Sequence, residues 1–287
     1  MRISNSEYTA FLNNQERYRL MYKAPLGDKK TGISPAQHSF WIDRGSVFHL
    51  LMESHNKGWS KEQTDVKLKE GQFDAKATQN GQALFMAFKQ RYNGDKRFSI
   101  QQWDEHQVAS EIEFEAKIPG SPHALIGKMD ELIQFEDSLW VGDYKTANAK
   151  ATENKKRIEF EDSSQSDFYI NAMRLLDRPV KGMLYRVVTE HVPSQHYVIP
   201  ITRSESRLDV SLLSIHQVCE MITMMMDTFG IDKPWPHPGS SFPCNWRGIN
   251  GKSMCEFETL CRRPTSELTQ ADLEQFIPNK PHLSLME

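Results

Sequence analysis

The segment ALIGKMDELIQFEDSLWVGDYKT, residues 124–146, has the alternating pattern of two β-strands joined by a turn at residues 136–138. Successive side chains of a strand point to opposite faces, so Asp143 and Lys145 share one face, about 6.6 Å apart along the strand. Asp130 lies on the preceding strand, across the short turn. The predicted hairpin therefore brings two carboxylates and a lysine into one small region.

These three residue types suggest metal-assisted chemistry. Two carboxylates from neighbouring strands can hold one hard divalent cation. A lysine beside that cation would lose its proton more easily, through desolvation and the like charge, and could activate a water for attack on a phosphodiester. The alternative, which spacing alone leaves open, is an exposed hairpin with ordinary salt bridges. Leu139 and Val141 share the face of Asp143, which favours a charged pair that continues an apolar face inward.

Helices and further strands are predicted on both sides of the hairpin. Ser4 and Glu7, three residues apart, form a capping box at the start of the first helix, and residues 24–39 form a loop. The remaining predicted elements are helices over 4–21, 40–57 and 81–92, a strand over 109–117, a helix over 165–177, a strand pair over 181–189 and 195–201, and a helix over 202–230. This order indicates one α/β domain over residues 1–230 with a C-terminal appendage over 231–287.

Composition excludes several classes of protein. The chain has 287 residues, of which 38% are hydrophobic and 25% charged, as in a water-soluble globular protein. It has neither the ~20-residue apolar run of a membrane span nor an apolar signal-peptide core, so we expect a cytoplasmic protein with no membrane partner. The net charge of −3 means that any phosphate-binding surface is local. We expect DNA contacts from Lys155, Lys156 and Arg157, although charge alone favours a solvated face for such a run.

Three motifs together resemble a known family. GKMDELI followed by VGDYKTA resembles the central Gly-x-x-Asp…Asp-x-Lys-Thr motif of the RecB-like branch of the PD-(D/E)xK nucleases. RGSVFHLLME resembles its Gly-x-x-x-His helix, with Gly45 and His49, and QSDFY its Gln-x-x-x-Tyr helix, with Gln165 and Tyr169. The order and intervals of these motifs across residues 45–169 make the resemblance strong. It implies an α/β fold with a restriction-endonuclease-like core, a mixed sheet of about five strands flanked by helices.

The resemblance also assigns roles. Four ligands are implied for a Mg²⁺ or Mn²⁺ ion, and an imidazole among oxygen atoms makes Mn²⁺ competitive: His49, Asp130, Asp143 and the carbonyl of Tyr144. Lys145 would orient or deprotonate the attacking water. Gln165 and Tyr169 would hydrogen-bond near that lysine or the DNA backbone. Glu111 lies where the family often has an acidic residue, but the three alternating glutamates there are equally typical of a solvated strand face.

The function implied is cleavage of DNA phosphodiester bonds by an exonuclease in recombination or repair, or in phage DNA processing. A recombination or helicase protein would be its partner. Two other functions stay open at this point: a non-catalytic DNA-binding or scaffolding subunit that retains the fold, and a hydrolase of other phosphoesters. The intact set of Asp130, Asp143 and Lys145 argues against the first, since a degenerate copy would be free to lose these residues.

The C-terminal cysteines resemble those of iron–sulfur nucleases in the same family. The segment SMCEFETLC, together with the upstream Cys244, matches their cysteine triplet, which here is Cys244, Cys255 and Cys261. The fourth cysteine of those proteins comes from the first helix, where this chain has Asn14. We therefore expect the three thiols to lie near one another and near the first helix, without a complete iron–sulfur cluster. A zinc site completed by His237 is the alternative.

Overall fold

The computed structural model describes residues 1–23, 33–35, 40–235 and 276–278. The described residues fall into two compact units. The terminal unit takes its residues from Met1–Gln37, Lys117–Ile126 and Leu212–Glu287. The hairpin unit takes its residues from His38–Ala116 and Gly127–Ser211, and all predicted site residues that are described lie in it. The predicted boundary at residue 230 stays a prediction.

The sheet is mixed, as predicted. The strands are β1 (Arg2–Ile3), β2 (Ile33–Pro35), β3 (Phe98–Ile100), β4 (Ser110–Lys117), β5 (Ala124–Phe135), β6 (Ser138–Ala147), β7 (Met183–Thr189), β8 (His196–Ile201) and β9 (Phe276–Pro278). In the described part of the chain, seven of them form one sheet in the order β1-β5-β6-β7-β8, with β3 and β4 also pairing with β5. β6 and β7 run parallel, while β5 with β6 and β7 with β8 are antiparallel. The α/β fold is confirmed, and the short strands β1 and β3 are additions to the pattern expected.

The β5–β6 hairpin forms as its sequence predicts. Glu136 and Asp137 have φ angles of 47° and 58°, the left-handed pair that a two-residue turn of type I′ requires. Phe135 therefore pairs with Ser138, and Leu132 with Val141. This register fixes which side chains of β6 share a face with the acidic residues of β5.

The helices differ more from expectation. They are α1 (Asn5–Asn13), α2 (Gln15–Tyr18), a π-helix (Arg19–Lys23), α3 (Phe40–Lys57), α4 (Lys61–Glu70), α5 (Ala75–Tyr92), α6 (Glu153–Glu161), α7 (Ser164–Leu175) and α8 (Glu205–Phe229). None of these described helices is both long and apolar enough to span a membrane. The first helix starts with the predicted capping box but ends at Asn13, because Asn14 turns extended and its side chain caps the backbone N–H of Arg17 at 2.9 Å. The helices α4 and α6 were not predicted, although Ser60 with Gln63 forms a capping box before α4.

Different helices of the hairpin unit cover the two faces of β6 and β7. Tyr144 lies on the face that packs against Phe48 of α3 and Phe88 of α5, here called the back face. Asp143 lies on the opposite face, here called the site face, where it pairs in register with Tyr185. The hydroxyl of Tyr185 is 3.0 Å from that of Ser166 in α7. The hairpin is thus sandwiched between helices, with its acidic residues at the edge of the site face.

Candidate active site

One helix and three strands contribute the charged residues of the site. They are His49 on α3, Glu111 on β4, Lys128 and Asp130 on β5, and Asp143 and Lys145 on β6. All of them belong to the hairpin unit. The side chains of His49, Glu111 and Asp130 are partly exposed, whereas Asp143 is buried. The site therefore combines groups that solvent can reach with one carboxylate held inside the protein.

A cluster of one imidazole and two carboxylates lies at the centre of the site. His49 Nδ1 is 3.2 Å from Asp130 Oδ2 and 3.8 Å from Glu111 Oε1. One ligand atom from each of the three residues lies within 4.8 Å of the other two. The same Asp130 oxygen accepts a hydrogen bond of 2.7 Å from the main-chain N–H of Tyr144, which ties β5 to β6 beneath the cluster. Imidazole nitrogen and carboxylate oxygen are both ligands of Mn²⁺, and carboxylates suit Mg²⁺.

The sequence did not decide whether Glu111 belongs to the site or to a solvated strand face. Its backbone conformation favours a role in the site. Its φ angle is +52°, in the left-handed region that a residue other than glycine rarely adopts. Such residues concentrate at functional sites, where the surrounding structure holds them in place. In this conformation the carboxylate lies between His49 and Lys128, whose Nζ is 2.6 Å from Glu111 Oε2. Lys128 was not predicted, although it shares a strand face with Asp130 two residues later.

Asp143, Lys145 and Gln165 form a second group beside the cluster. Lys145 Nζ contacts both carboxylate oxygens of Asp143, at 2.9 Å from Oδ1 and 2.7 Å from Oδ2. Gln165 Nε2 donates to Asp143 Oδ1 at 2.9 Å. The glutamine from α7 thus contacts the carboxylate that holds the lysine. The three-residue group of His49, Glu111 and Asp130 does not include Asp143, so its predicted place as a ligand stays a prediction.

The charges of the site shift one another's protonation. Burial by itself would lower the pKa of His49, but attraction to Asp130 and Glu111 outweighs it and raises that pKa to about 10. Burial would raise the pKa of Asp130, but His49 and Lys145 hold it below its usual range. For Asp143 burial wins over the attraction of Lys145, and the pKa rises to about 6.

The protein groups around Lys145 shift its pKa in the direction opposite to that expected from the sequence. Burial would lower its pKa, but attraction to Asp143 and Asp130 outweighs burial and raises the pKa above its ordinary value. The lowered value expected from the sequence depends on the like charge of a bound cation. Without that cation, Lys145 is an ammonium group that donates to Asp143.

Tyr169 and Tyr144 act on the site through the main chain. The Tyr169 hydroxyl donates to the carbonyl oxygen of Lys128 at 2.7 Å, and burial raises the pKa of this phenol. Tyr169 therefore positions β5, and its hydroxyl bonds to the main chain of Lys128 and not to Lys145. The N–H of Tyr144 serves Asp130, while its predicted role as a carbonyl ligand stays a prediction.

Gly45 and the basic run of α6 occupy different surroundings. A Cβ atom at Gly45 would meet only Thr146 Oγ1, at 3.8 Å, an ordinary van der Waals distance. Lys156 and Arg157 form ion pairs with Glu159 and Glu153 of their own helix. Lys155 is exposed. These pairs reduce the net charge of the α6 surface, and its predicted role in DNA binding stays a prediction.

The predicted cysteine group, Cys244, Cys255 and Cys261, lies outside the described residues, and so does His237. Asn14 is described: it is buried and ends α1 while capping α2. Cys219 lies in the core of the terminal unit, and burial raises the pKa of its thiol to about 12.

Comparison with known proteins identifies a family and solved structures that are similar to this chain. A family model described as "PD-(D/E)XK nuclease superfamily" matches residues 2–262. Among solved structures, the chain is similar to a "Putative exonuclease" from Eubacterium rectale, at 12% identity and a TM-score of 0.50, covering 90% of this chain and 92% of that one. It is also similar to SSO0001, at 13% identity and a TM-score of 0.31, covering 63% and 76%. A search of curated proteins found no match. At such identities the structural likeness shows the fold alone.

Proposed function

This chain belongs to the PD-(D/E)XK nuclease superfamily, and we propose that it is a divalent-metal-dependent deoxyribonuclease acting as an exonuclease. One observation carries the proposal. The ligand atoms of His49, Glu111 and Asp130 lie within 4.8 Å of one another, and Asp130 is joined through β6 to the Asp143–Lys145 pair. The site thus offers metal ligands and a cation for a phosphodiester in one small region.

The donor set fits a divalent cation. His49, Glu111 and Asp130 would hold the ion, with Asp143 as a further ligand. Three carboxylates converge here, and their charge is balanced by the protonated His49 and by Lys128 and Lys145, so a bound cation would take the place of the His49 proton. An additional positive charge would relieve the burial cost that raises the pKa of Asp143. When bound, the ion would supply charge stabilisation for the phosphodiester and lower the pKa of a water.

Lys145 would then act on the attacking water. Its ammonium group is fixed by both oxygens of Asp143, and Gln165 fixes Asp143 in turn. Because the Lys145 ammonium group is already fixed by Asp143, the side chain loses little conformational freedom when it donates to a water. This is the advantage of a preorganised site. Lys145 would orient the water and hold or accept its proton. Lys128 would neutralise part of the phosphate charge.

DNA is the proposed substrate because this superfamily consists of nucleases. The proposal includes a role in recombination, repair or phage DNA processing beside a helicase or recombination protein. That part rests on the sequence motifs alone.

The deciding experiment incubates purified protein with end-labelled linear DNA and with covalently closed circular DNA of the same sequence, with Mn²⁺, Mg²⁺ or EDTA. We expect metal-dependent degradation of the linear DNA only. Cleavage of the circle would indicate an endonuclease. Binding without cleavage would indicate the non-catalytic subunit, and hydrolysis of a small phosphodiester without DNA cleavage would indicate another substrate. Lys145→Ala, purified identically, excludes a contaminating nuclease.

A further inference from the structure

A single face of α3 lines the groove that leads to the site. Trp41, Gly45, His49 and Glu53 lie four residues apart, so they follow one another along that face. The groove has a volume of about 820 Å³ and is also lined by Asp130 and other residues of the cluster. The helix rises about 1.5 Å per residue, so Trp41 lies about 12 Å from His49 along its axis.

The end of the groove remote from the cluster is apolar and exposed. Trp41 is 56% exposed and its neighbour Ile42 is 64% exposed, and both line the groove. A large aromatic side chain left in water forgoes the stabilisation that burial would give it. Exposed apolar groups that adjoin a functional groove are typical of a binding surface.

The indole of Trp41 packs against two neighbouring side chains. The guanidinium carbon of Arg44 lies 4.8 Å from the centroid of the Trp41 ring. The ring of Phe40 approaches edge-on, with centroids 5.0 Å apart at 82°. Arg44 is itself buried, donates to Thr146 Oγ1 at 3.2 Å and pairs with Glu190. The indole is therefore preorganised, and more than half of it remains open to a ligand.

We propose that Trp41 and Ile42 form a stacking platform for an unpaired base, so that the substrate enters the site as single-stranded DNA. This inference rests on the proposed nuclease function. Bases stack on aromatic side chains without sequence preference, while nearby cations bind the backbone. The distance of about 12 Å corresponds to about three or four stacked nucleotides at 3.4 Å each. Gly45, between the platform and His49, leaves room for the intervening strand.

The first test measures binding without cleavage. Affinities for a 20-nucleotide oligothymidylate and for a blunt 20-base-pair duplex are compared in EDTA, by fluorescence anisotropy, for wild type, Trp41→Ala and Trp41→Phe. Met86→Ala is the control, since Met86 is 63% exposed on α5 and does not line the groove. We expect Trp41→Ala to weaken single-strand binding by about 5- to 150-fold, the range for loss of one stacked base. Duplex binding and the Met86→Ala variant should change little, and Trp41→Phe should retain most of the affinity.

The same loss for single strand and duplex, or no loss in Trp41→Ala, would overturn the platform. So would a wild-type protein that does not bind the oligothymidylate. Because no divalent ion is present, these results do not depend on whether the protein cleaves DNA. Failure of cleavage in the earlier assay together with a selective loss here would overturn the nuclease and retain the platform.

A second measurement needs no variant and decides the matter if Trp41→Ala fails to fold. Oligonucleotides with one 5-iododeoxyuridine are bound to the wild-type protein in EDTA, irradiated and digested, and the crosslinked peptide is identified by mass spectrometry. We expect the crosslink at Trp41. Crosslinks confined to peptides that do not line the groove would overturn the proposal.

Discussion

Asp130 and Glu131 are neighbours on β5, yet their carboxylates lie in opposite environments. Asp130 lies on the site face, partly exposed and 3.2 Å from His49. Glu131 lies on the back face with no exposed side-chain surface, in an ion pair with Arg186. Adjacent strand residues point to opposite faces, so one step along the chain separates a group available to a ligand from a group sealed in the core.

The back face completes its own interactions. Glu131 Oε2 accepts from the Tyr144 hydroxyl at 2.5 Å, and the Arg186 guanidinium donates to that hydroxyl at 2.6 Å. The guanidinium carbon also lies 5.3 Å from the ring centroid of Phe88. Gly142 makes room for the acid, since a Cβ there would be 2.3 Å from Glu131 Oε1. Buried charges are tolerated when they are paired and hydrogen-bonded, as here.

The two faces differ in which groups offset the cost of burying a carboxylate charge. Glu131 has an arginine and a phenol supplied by the fold. The site-face carboxylates share one imidazole and two lysines on partly exposed side chains. Burial raises the pKa of both Asp143 and Glu131, so solvent access to the charged partners distinguishes the two faces. The back face thus resembles a stabilising core network, and we propose that a cation and a substrate complete the site face. Substitutions should separate these two roles.

The largest expected effect is on the rate of cleavage. Lys145→Ala should reduce DNA cleavage by about 10²- to 10⁴-fold, the usual contribution of a positioned acid or base. Metal affinity should change little, because the lysine serves the water while the carboxylates serve the ion. Single-turnover rates with calorimetric Mn²⁺ titrations test both parts. Undiminished cleavage would remove Lys145 from the chemistry.

The next effect is on stability and belongs to the back face. Arg186→Ala should cost about 3–5 kcal/mol in the free energy of unfolding near neutral pH, because it removes the ion-pair partner of Glu131 in the core. Burial already raises the pKa of Glu131, and loss of Arg186 would raise it further. The folded state then binds a proton that the unfolded state releases, so the loss of stability should grow as pH rises from 5 to 8.

Urea unfolding at both pH values measures this effect. The double variant Glu131→Gln with Arg186→Met should recover part of the lost stability, since no buried charge remains. Cleavage per folded molecule should stay within a few-fold of wild type. An Arg186→Ala protein as stable as wild type would contradict the contrast between the faces. So would a destabilised variant whose folded molecules are inactive.

Site-face carboxylates should show the reverse pattern. Asp130→Asn and Asp143→Asn should each lose activity and weaken Mn²⁺ binding, by at least about 100-fold for Asp130, since even outer-shell partners contribute 10- to 100-fold. Thermal stability without metal should be unchanged or higher for Asp143→Asn, which removes a buried charge. Calorimetry and thermal melts measure both. Wild-type metal affinity in both variants would refute the ligand assignment.

Metal binding should also release a proton. In the metal-free protein the pKa of His49 is raised to about 10, so its ring is protonated at pH 7.5, whereas a ligand must be neutral. Titration of Mn²⁺ in buffers of different ionisation enthalpy should therefore show close to one proton released per ion, and affinity should rise with pH. His49→Asn should remove the release. Its absence in the wild type would exclude His49 as a ligand.

The smallest effect contrasts two glycines. Gly45→Ala should raise stability by about 1 kcal/mol, because glycine is costly inside a helix and the new methyl group would meet only Thr146 Oγ1 at 3.8 Å. Gly142→Ala should instead lower stability by about 1–3 kcal/mol, because its methyl group would overlap Glu131. Equal effects in chemical unfolding would show that the back face is not packed as tightly as the distances indicate.

The local sequence pattern predicted much of the fold. The alternation in residues 124–146 predicted β5 and β6, and the capping box of Ser4 with Glu7 predicted the start of α1. The strands β1 and β3 were missed, since two or three residues give no measurable period. The helices α4 and α6 were missed because they bury almost no apolar residue and so lack an apolar stripe. The end of α1 was placed too late because Asn14 caps a second helix, a choice that depends on where the chain goes next.

Within the site, the sequence identified residues more readily than it identified contacts. Asp130, Asp143, Lys145, His49 and Gln165 all lie in the hairpin unit around the cluster, and their roles stay predictions. Glu111 could not be separated from Glu113 and Glu115 by alternation. Its left-handed backbone, which distinguishes it, has no sequence signal in a glutamate.

The sequence by itself determined the strand alternation, and with it the separation of Asp130 from Glu131, because side-chain period is a local property of an extended chain. Only the tertiary structure decided which face would be sealed. Arg186 is 55 residues from Glu131 along the chain, and their pairing depends on the parallel register of β6 and β7. The distance from His49 to Asp130 likewise depends on how α3 packs on the sheet. Such long-range contacts, and the pKa shifts that follow from them, are set by burial and register, which local sequence does not specify.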